Sequence, residues 1–170
     1  MFSTKRIEPV DIEILISLGR ETFYNSYFHL TDPEHFEEYT SQAFSHEKLL
    51  AELNNPNSHF YFAMLDDKVI GYIKLNFGPA QSEFQDEHAM EIERIYLLKQ
   101  YQGKQLGKQL LQFAIQTAID KQLQYIWLGV WDQNPKAIHF YERNGFKISG
   151  KHTFVFGGEN HADLMMKLEL

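Results

Sequence analysis

Apolar residues recur at two different spacings along the 170 residues of this chain, and the switches between the two mark out its elements. Residues 3–7 (STKRI) read as a short strand, and Ile12, Leu15, Ile16, Leu18 and Phe23 fall at helical spacing between Pro9 and about Phe28. A second helical stretch, rich in Glu and aromatics, is expected over 33–53. The runs HFYFAML (59–65) and KVIGYIKLNF (68–77) predict a hairpin that turns at Asp66-Asp67. Segment 78–89 is polar and reads as loop. A β-type run over 90–98 then gives way to an amphipathic helix over 104–121, on which Leu106, Leu110, Leu111, Phe113, Ala114 and Ala118 share helical spacing. QYIWLGVWD (124–132) reads as a buried strand. Asn134-Pro135 opens a short helix that Asn144-Gly145 closes, because glycine just past a helix end takes the left-handed conformation cheaply. Runs 151–156 and 162–170 flank Gly157-Gly158 as a closing hairpin. The order predicts an α/β (α+β) chain with a mixed, mostly antiparallel sheet and one central strand–helix–strand crossover.

Composition narrows the function. With 44% hydrophobic residues and no internal repeat or Pro/Ser-rich linker, residues 1–170 read as a single domain. No apolar run reaches the roughly 18–20 residues a membrane span requires, and the charged, proline-bearing N-terminus does not read as a signal peptide. The absence of cysteine removes disulfides, thiolate metal sites and a cysteine nucleophile, and fits a cytoplasmic location. A formal charge of −7 argues against nucleic acid and suits a cationic small substrate. Eight histidines form neither an HxH nor an HExxH spacing, so no metal site is expected.

The richest chemistry lies at 91–117. Strand, glycine-bearing loop and helix in that order bring free backbone N–H groups and a positive helix end to one point, which favours an anion and above all phosphate. The loop is neither a Walker A sequence nor a GxGxxG. Strict alternation along the preceding strand would place Glu91, Glu93, Ile95 and Leu97 on one face, opposite Ile92, Arg94 and Tyr96. Trp127, Gly129 and Trp131 would likewise share a face of their strand.

Two segments carry a resemblance. Gln102-Gly103-Lys104-Gln105-Leu106-Gly107 resembles the Q/R-x-x-G-x-G/A loop of the GNAT (Gcn5-related N-acetyltransferase) family. Asn134-Pro135-Lys136-Ala137-Ile138-His139-Phe140-Tyr141-Glu142-Arg143-Asn144-Gly145-Phe146 is similar to that family's N-x-x-A-x-x-F-Y-x-x-x-G-F signature. The resemblance implies a sheet splayed after the central strand, acetyl-CoA as cosubstrate, and direct transfer of acetyl to a primary amine. It implies that amides of Gln102–Lys108 cap the coenzyme A pyrophosphate, with Lys104 and Lys108 adding charge, or else forming an ordinary solvated helix start. Ile95, Tyr96 and Leu97 would pair their backbone with the pantetheine arm. Asn134 would reach a pantetheine amide, cap its helix, or do both, and Lys136 and Arg143 would complete the cofactor contacts. Tyr141 corresponds to the family's general acid, and its bland alternative is a core tyrosine beside Phe140 and Phe146. Glu91 matches the position of a catalytic glutamate, with Glu93 sharing the work or holding a cationic substrate; the alternative for both is a salt bridge. Gln105 stands where the family loop has its first glycine, and a right-handed backbone there would accommodate its Cβ.

Finer strings, AQSE (80–83), EIERIYL (91–97), IWLGVWDQN (126–134) and ADLMMKLEL (162–170), resemble the bacterial PaiA-type polyamine N-acetyltransferases, which implies spermidine or spermine as acceptor. Glu21, Glu34, Glu37 and Glu38, interleaved with Tyr24, Tyr27 and Tyr39, would line a polyamine groove, or else form the wet face of a helix. Another amine (an aminoglycoside, an amino acid or a protein amine) and a non-catalytic acyl-CoA-binding module remain alternatives. Family members are often dimers, so the resemblance leaves room for a homodimer.

Overall fold

A computed structural model describes residues 1–170. Seven strands form one sheet in the order β1-β2-β3-β4-β5-β7-β6: β1 (Phe2–Arg6), β2 (Ser58–Leu65), β3 (Lys68–Phe77), β4 (Ala89–Leu97), β5 (Tyr125–Trp131), β6 (Lys147–Phe156) and β7 (Glu159–Glu169). All neighbours are antiparallel except β4 and β5, the parallel pair that α4 (Leu106–Asp120) connects. The mixed, mostly antiparallel sheet with a single central crossover is as the sequence pattern predicts.

Local chemistry explains most boundaries. Both residues of the β2–β3 turn, Asp66 and Asp67, have positive φ (47° and 65°), the conformation whose twist matches two antiparallel strands. The stretch expected as one helix over 33–53 is two, α2 (Pro33–Ala43) and α3 (His46–Leu53). Ser45 separates them because its hydroxyl accepts from the Lys48 amide (3.2 Å) and starts a new helix. Strand β6 starts at Lys147, earlier than the run of β-type residues suggests, because β7 is long enough to pair it from Lys167 outward.

The helices cover both faces of the sheet. Helix α4 buries Leu106, Leu110, Leu111, Ala114 and Ala118 against one face, together with Met90, Ile92 and Phe146. Helices α1 (Ile12–Tyr27) and α3 cover the other through Leu15, Leu18 and Leu49, against Phe60, Phe62 and Tyr72.

Two features of β4 shape everything near the site. Its pairing with β5 stops after Ala89–Tyr125, Met90–Ile126 and Glu91–Trp127, and beyond that point the strands diverge. Immediately afterwards β4 carries a bulge against β3: Leu75 pairs Ile92 and Lys74 pairs Arg94, so Glu93 is the extra residue. The bulge overturns the simple alternation expected from sequence. Met90, Ile92, Ile95 and Leu97 all pack on the α4 side, while Glu93, Arg94 and Tyr96 turn to the side of α1 and α3.

Strand β3 approaches this segment closely at Gly71, where a Cβ would lie 2.2 Å from the Tyr96 carbonyl oxygen and 2.9 Å from the Leu97 Cα. Backbone cannot yield as a side chain can. Gly71→Ala should therefore destabilise the fold by about 1–3 kcal/mol through overpacking, lowering the thermal midpoint by about 3–10 °C. An unchanged midpoint would mean that β3 and β4 separate here without cost.

Candidate active site

Where β4 and β5 part, a cleft of about 1270 Å³ opens between them. One wall is the outer half of β4, Ile95, Tyr96 and Leu97; the other is Leu128–Trp131 of β5. The floor on the α4 side is the loop 102–108, and α5 (Pro135–Arg143) closes the end with Asn134 and Tyr141.

The loop keeps its amides open. The backbone N–H groups of residues 103–108 donate to no backbone carbonyl, the first such bond of α4 being Gln109 N to Gln105 O (3.2 Å). Helices α2, α3 and α5 have a side chain accepting from a first-turn amide, whereas α4 has none. A missing cap costs about 1 kcal/mol; burying one leucine side chain contributes about 1.5–3 kcal/mol, and α4 buries three. Packing thus holds the helix while its positive end stays free for an anion. Gly107 has ordinary space around it, with an added Cβ 3.8 Å from Leu97 Cδ1 and Phe140 Cζ. Its bareness is not demanded by packing, and what it spares is the approach to these amides.

Gln105 departs from expectation. Its backbone is left-handed (φ 64°, ψ 0°), not right-handed. The loop must reverse sharply between Gly103 (φ 74°) and the start of α4, and that reversal needs a positive φ whether or not glycine supplies it. The other predicted cofactor residues divide into groups. Gln102, Gly103, Gln105, Gly107, Lys108, Lys136 and Arg143 line the cleft. Lys104 instead lies over the Tyr101 ring (5.8 Å), and the Leu106 side chain is in the core, so neither lines the cleft. Asn134 caps α5 by accepting from the Ala137 amide (3.2 Å).

Tyr141 is 8% exposed, packed between Phe140 and Phe146, and lines the cleft. The core and cleft readings of this residue therefore coexist. Burial, and beyond it the neighbouring Tyr27 phenol, hold its pKa far above the ordinary value of 10. The Tyr27 hydroxyl lies 3.5 Å from that of Tyr96, a second phenol whose ionisation burial suppresses.

The two glutamates of β4 part company. Glu93 forms ion pairs with Lys74 (2.5 Å) and Arg94 (3.3 Å), and both cations also hold Glu52 of α3 (3.2 and 3.1 Å). Burial pushes the Glu93 carboxyl up, but Arg94 and Lys74 outweigh it and keep the group below its usual range. Glu91, 3% exposed, accepts from the Ser82 amide (2.8 Å), the Ser82 hydroxyl (2.5 Å) and the Asn76 side-chain amide (3.1 Å). Burial nonetheless raises its pKa. Glu93 faces the main cleft; Glu91 lines an adjoining cavity of about 360 Å³.

The acidic residues of α2 do not line the cleft. Phe36, Thr40 and Ala43 form the buried stripe of that helix, which leaves Glu34, Glu37 and Glu38 exposed; Glu21 is exposed on α1. None of the four lines the cleft, whereas Tyr27 and Tyr39 do. The cleft's carboxylates are Glu93 and Asp163, with aromatic walls from Phe23, Trp131, Phe154 and Phe156. Asp163 was not singled out from sequence; alternation along β7 away from the buried Ala162 and Met166 was the signal available.

Residues 22–146 match the acetyltransferase (GNAT) family, and the chain belongs to it: it is an acetyl-CoA-dependent N-acetyltransferase of the GNAT type. An uncharacterised N-acetyltransferase of Lactobacillus delbrueckii subsp. lactis is 36% identical over 165 residues, covering 97% of this chain and 95% of that one. A spermidine N(1)-acetyltransferase of Thermoplasma acidophilum is 30% identical over 148 residues, covering 85% and 87%. The crystal structure of the PaiA N-acetyltransferase from T. acidophilum, in complex with coenzyme A, superimposes with a TM-score of 0.81 at 28% identity, covering 100% of this chain and 99% of that one.

A left-handed backbone strains a residue with a Cβ and suits glycine. Gln105→Gly should therefore stabilise the protein by about 1 kcal/mol, raising the thermal midpoint by about 2–4 °C. A lower midpoint would mean that the Gln105 side chain holds the loop by contacts of its own.

Proposed function

We propose that this enzyme transfers acetyl directly to a primary amine of a polyamine such as spermidine or spermine, with Tyr141 as general acid and Glu91 as general base. The observation that carries the reading is the two-sided cleft. Unpartnered amides lie on one side, an aromatic surface with two carboxylates lies on the other, and Tyr141 lines the space they share. The spermidine-acetylating relative supports the choice of acceptor.

Amides 103–108, with Lys108 beside them, would hold the pyrophosphate of the coenzyme, and the unpaired edge of β4 at Ile95–Leu97 would hold its pantetheine arm. Bound acetyl-CoA supplies an acetyl group activated as a thioester. Tyr141 keeps its proton at neutral pH because its pKa is raised, so it can donate from Oη to the leaving group. An amine attacks only when neutral, so its ammonium proton must go elsewhere. Glu91 suits that task better than Glu93, whose two oxygens are held by Lys74 and Arg94. Since Glu91 lies in the adjoining cavity, the proton would reach it through solvent there.

Free-thiol release measured over a panel of amines tests the reading. Spermidine and spermine should be turned over well above aminoglycosides, amino acids and peptides; clear turnover of another amine with none of the polyamines would remove the polyamine assignment. Tyr141→Phe should lower kcat by about 10²-fold with acetyl-CoA affinity kept, and an unchanged rate would make Tyr141 structural. The pH dependence has a definite sign. The carboxylate of Glu91 is the base form, so kcat/KM should rise as pH climbs through its raised pKa. Glu91→Gln should lower kcat/KM by about 10²-fold or more and abolish that limb; a retained limb would place the base elsewhere.

A further inference from the structure

Behind the cleft lies the smaller cavity, and the two are not separate. Ile92, Glu93, Gly129, Phe154 and Asp163 line both, so these residues form a neck between them. Beyond the neck stand Glu83 and Glu91. We propose that this smaller cavity seats the distal ammonium group of the acceptor, with Asp163 at the neck as its principal counter-charge and Glu83 behind. The proposal rests on the polyamine reading and adds to it the residues that select for a second positive charge.

Four observations carry it. The Asp163 carboxyl makes no hydrogen bond or ion pair, although its backbone is laddered to β5 and β6, and burial, the largest influence on it, raises its pKa. The charges around the seat do not balance. Glu93 is matched by Lys74 and Arg94, which leaves Asp163, Glu83 and Glu91 facing one basic side chain, His152. His152 sits opposite Asp163 across β6 and β7 and pairs with Glu83 through Nδ1 (2.6 Å). The neck also stays open because residue 129 is glycine: a Cβ there would come within 3.1 Å of the Asp163 Oδ2.

The fourth observation concerns a phenol. Tyr72 is fully buried and lines the main cleft, yet its hydroxyl has no hydrogen-bond partner. It is near enough to Glu93 for that charge to help raise its pKa, pushed up to about 12 chiefly by burial. A neutral phenol can accept from an N–H group of a chain running along the cleft. The Trp131 ring, cross-strand neighbour of Asp163, offers a cation–π face on the same route. A linear chain bearing amines at intervals fits this sequence of an acceptor oxygen, an aromatic wall and an acidic seat; a monoamine would use only its first part.

Kinetics with spermidine and with n-octylamine, a chain of similar length without the distal charge, test the seat. Asp163→Asn should raise the KM for spermidine about tenfold or more with kcat nearly constant, as loss of one charge-assisted contact predicts. The KM values for n-octylamine and acetyl-CoA should not move. Glu83→Gln, on the loop before β4, should act in the same direction but less strongly, and thermal melts of both variants report whether the fold is kept. Equal losses with both amines, unchanged kinetics, or a wild type that does not prefer spermidine over n-octylamine would overturn the seat. Calorimetric titration of spermidine into the coenzyme A-loaded protein reads the seat without turnover. Binding weakened about tenfold or more by Asp163→Asn supports it, and binding that is absent or unaffected overturns it. A wild type that acetylates no amine would defeat the functional reading alone, since the titration still decides the seat.

Discussion

Strands β4 and β5 can pair only while their backbones remain within hydrogen-bonding reach, and here that reach ends at Glu91–Trp127. The bulge at Glu93 follows at once. An extra residue bends its strand and increases its twist, so the outer half of β4 follows β3 and leaves β5. Two strand edges in the middle of the sheet are thereby left without partners. In a monomeric sheet such edges are a hazard; at the bottom of a cleft they become a surface for a ligand that can pair with backbone. Gly71 allows β3 to stay close to β4 through this departure, and the buried leucines of α4 hold the helix that closes the crossover.

The same bulge sorts the charges. Placing Glu93 and Arg94 on one side of the sheet makes a nearly neutral cluster with Lys74 and Glu52. Buried ions are costly to leave single, and removal of one member strands the rest. This cluster is therefore best understood as structural support for the cleft. Glu91, two residues inward, escapes the cations and accepts only neutral donors, so burial dominates its ionisation. Two glutamates of similar sequence context thus reach opposite electrostatic states.

Much of the local structure around loop 102–108 and α5 was legible because its chemistry is local. A loop with Gly103 and Gly107 ahead of an amphipathic run, and Asn134-Pro135 ahead of another, encode caps, turns and a helix start within a few residues. The opposite wall of the cleft was not legible, because it is assembled from α1, α2, β4, β6 and β7, which are distant in sequence. Glu34, Glu37 and Glu38 form the wet face of their helix, the alternative reading, for a simple reason. Phe36, Thr40 and Ala43 claim the buried stripe of α2, and the carboxylates are then outside. Asp163 looked like one more charge in a C-terminal strand until β5 and β6 were placed on either side of it.

The sequence by itself determined the order of elements, the antiparallel sheet with one crossover, and the signatures of an acetyltransferase, since hydrophobic period and turn chemistry act over short stretches. Tertiary structure alone decided which face Glu93 takes, the left-handed backbone at Gln105, and the union of Asp163, Glu83 and Glu91 around a second cavity. A bulge exists only between two strands, and a loop's φ follows from where its ends are anchored. A carboxylate's ionisation depends on what surrounds it. Each of these is a property of neighbours that the chain does not keep adjacent.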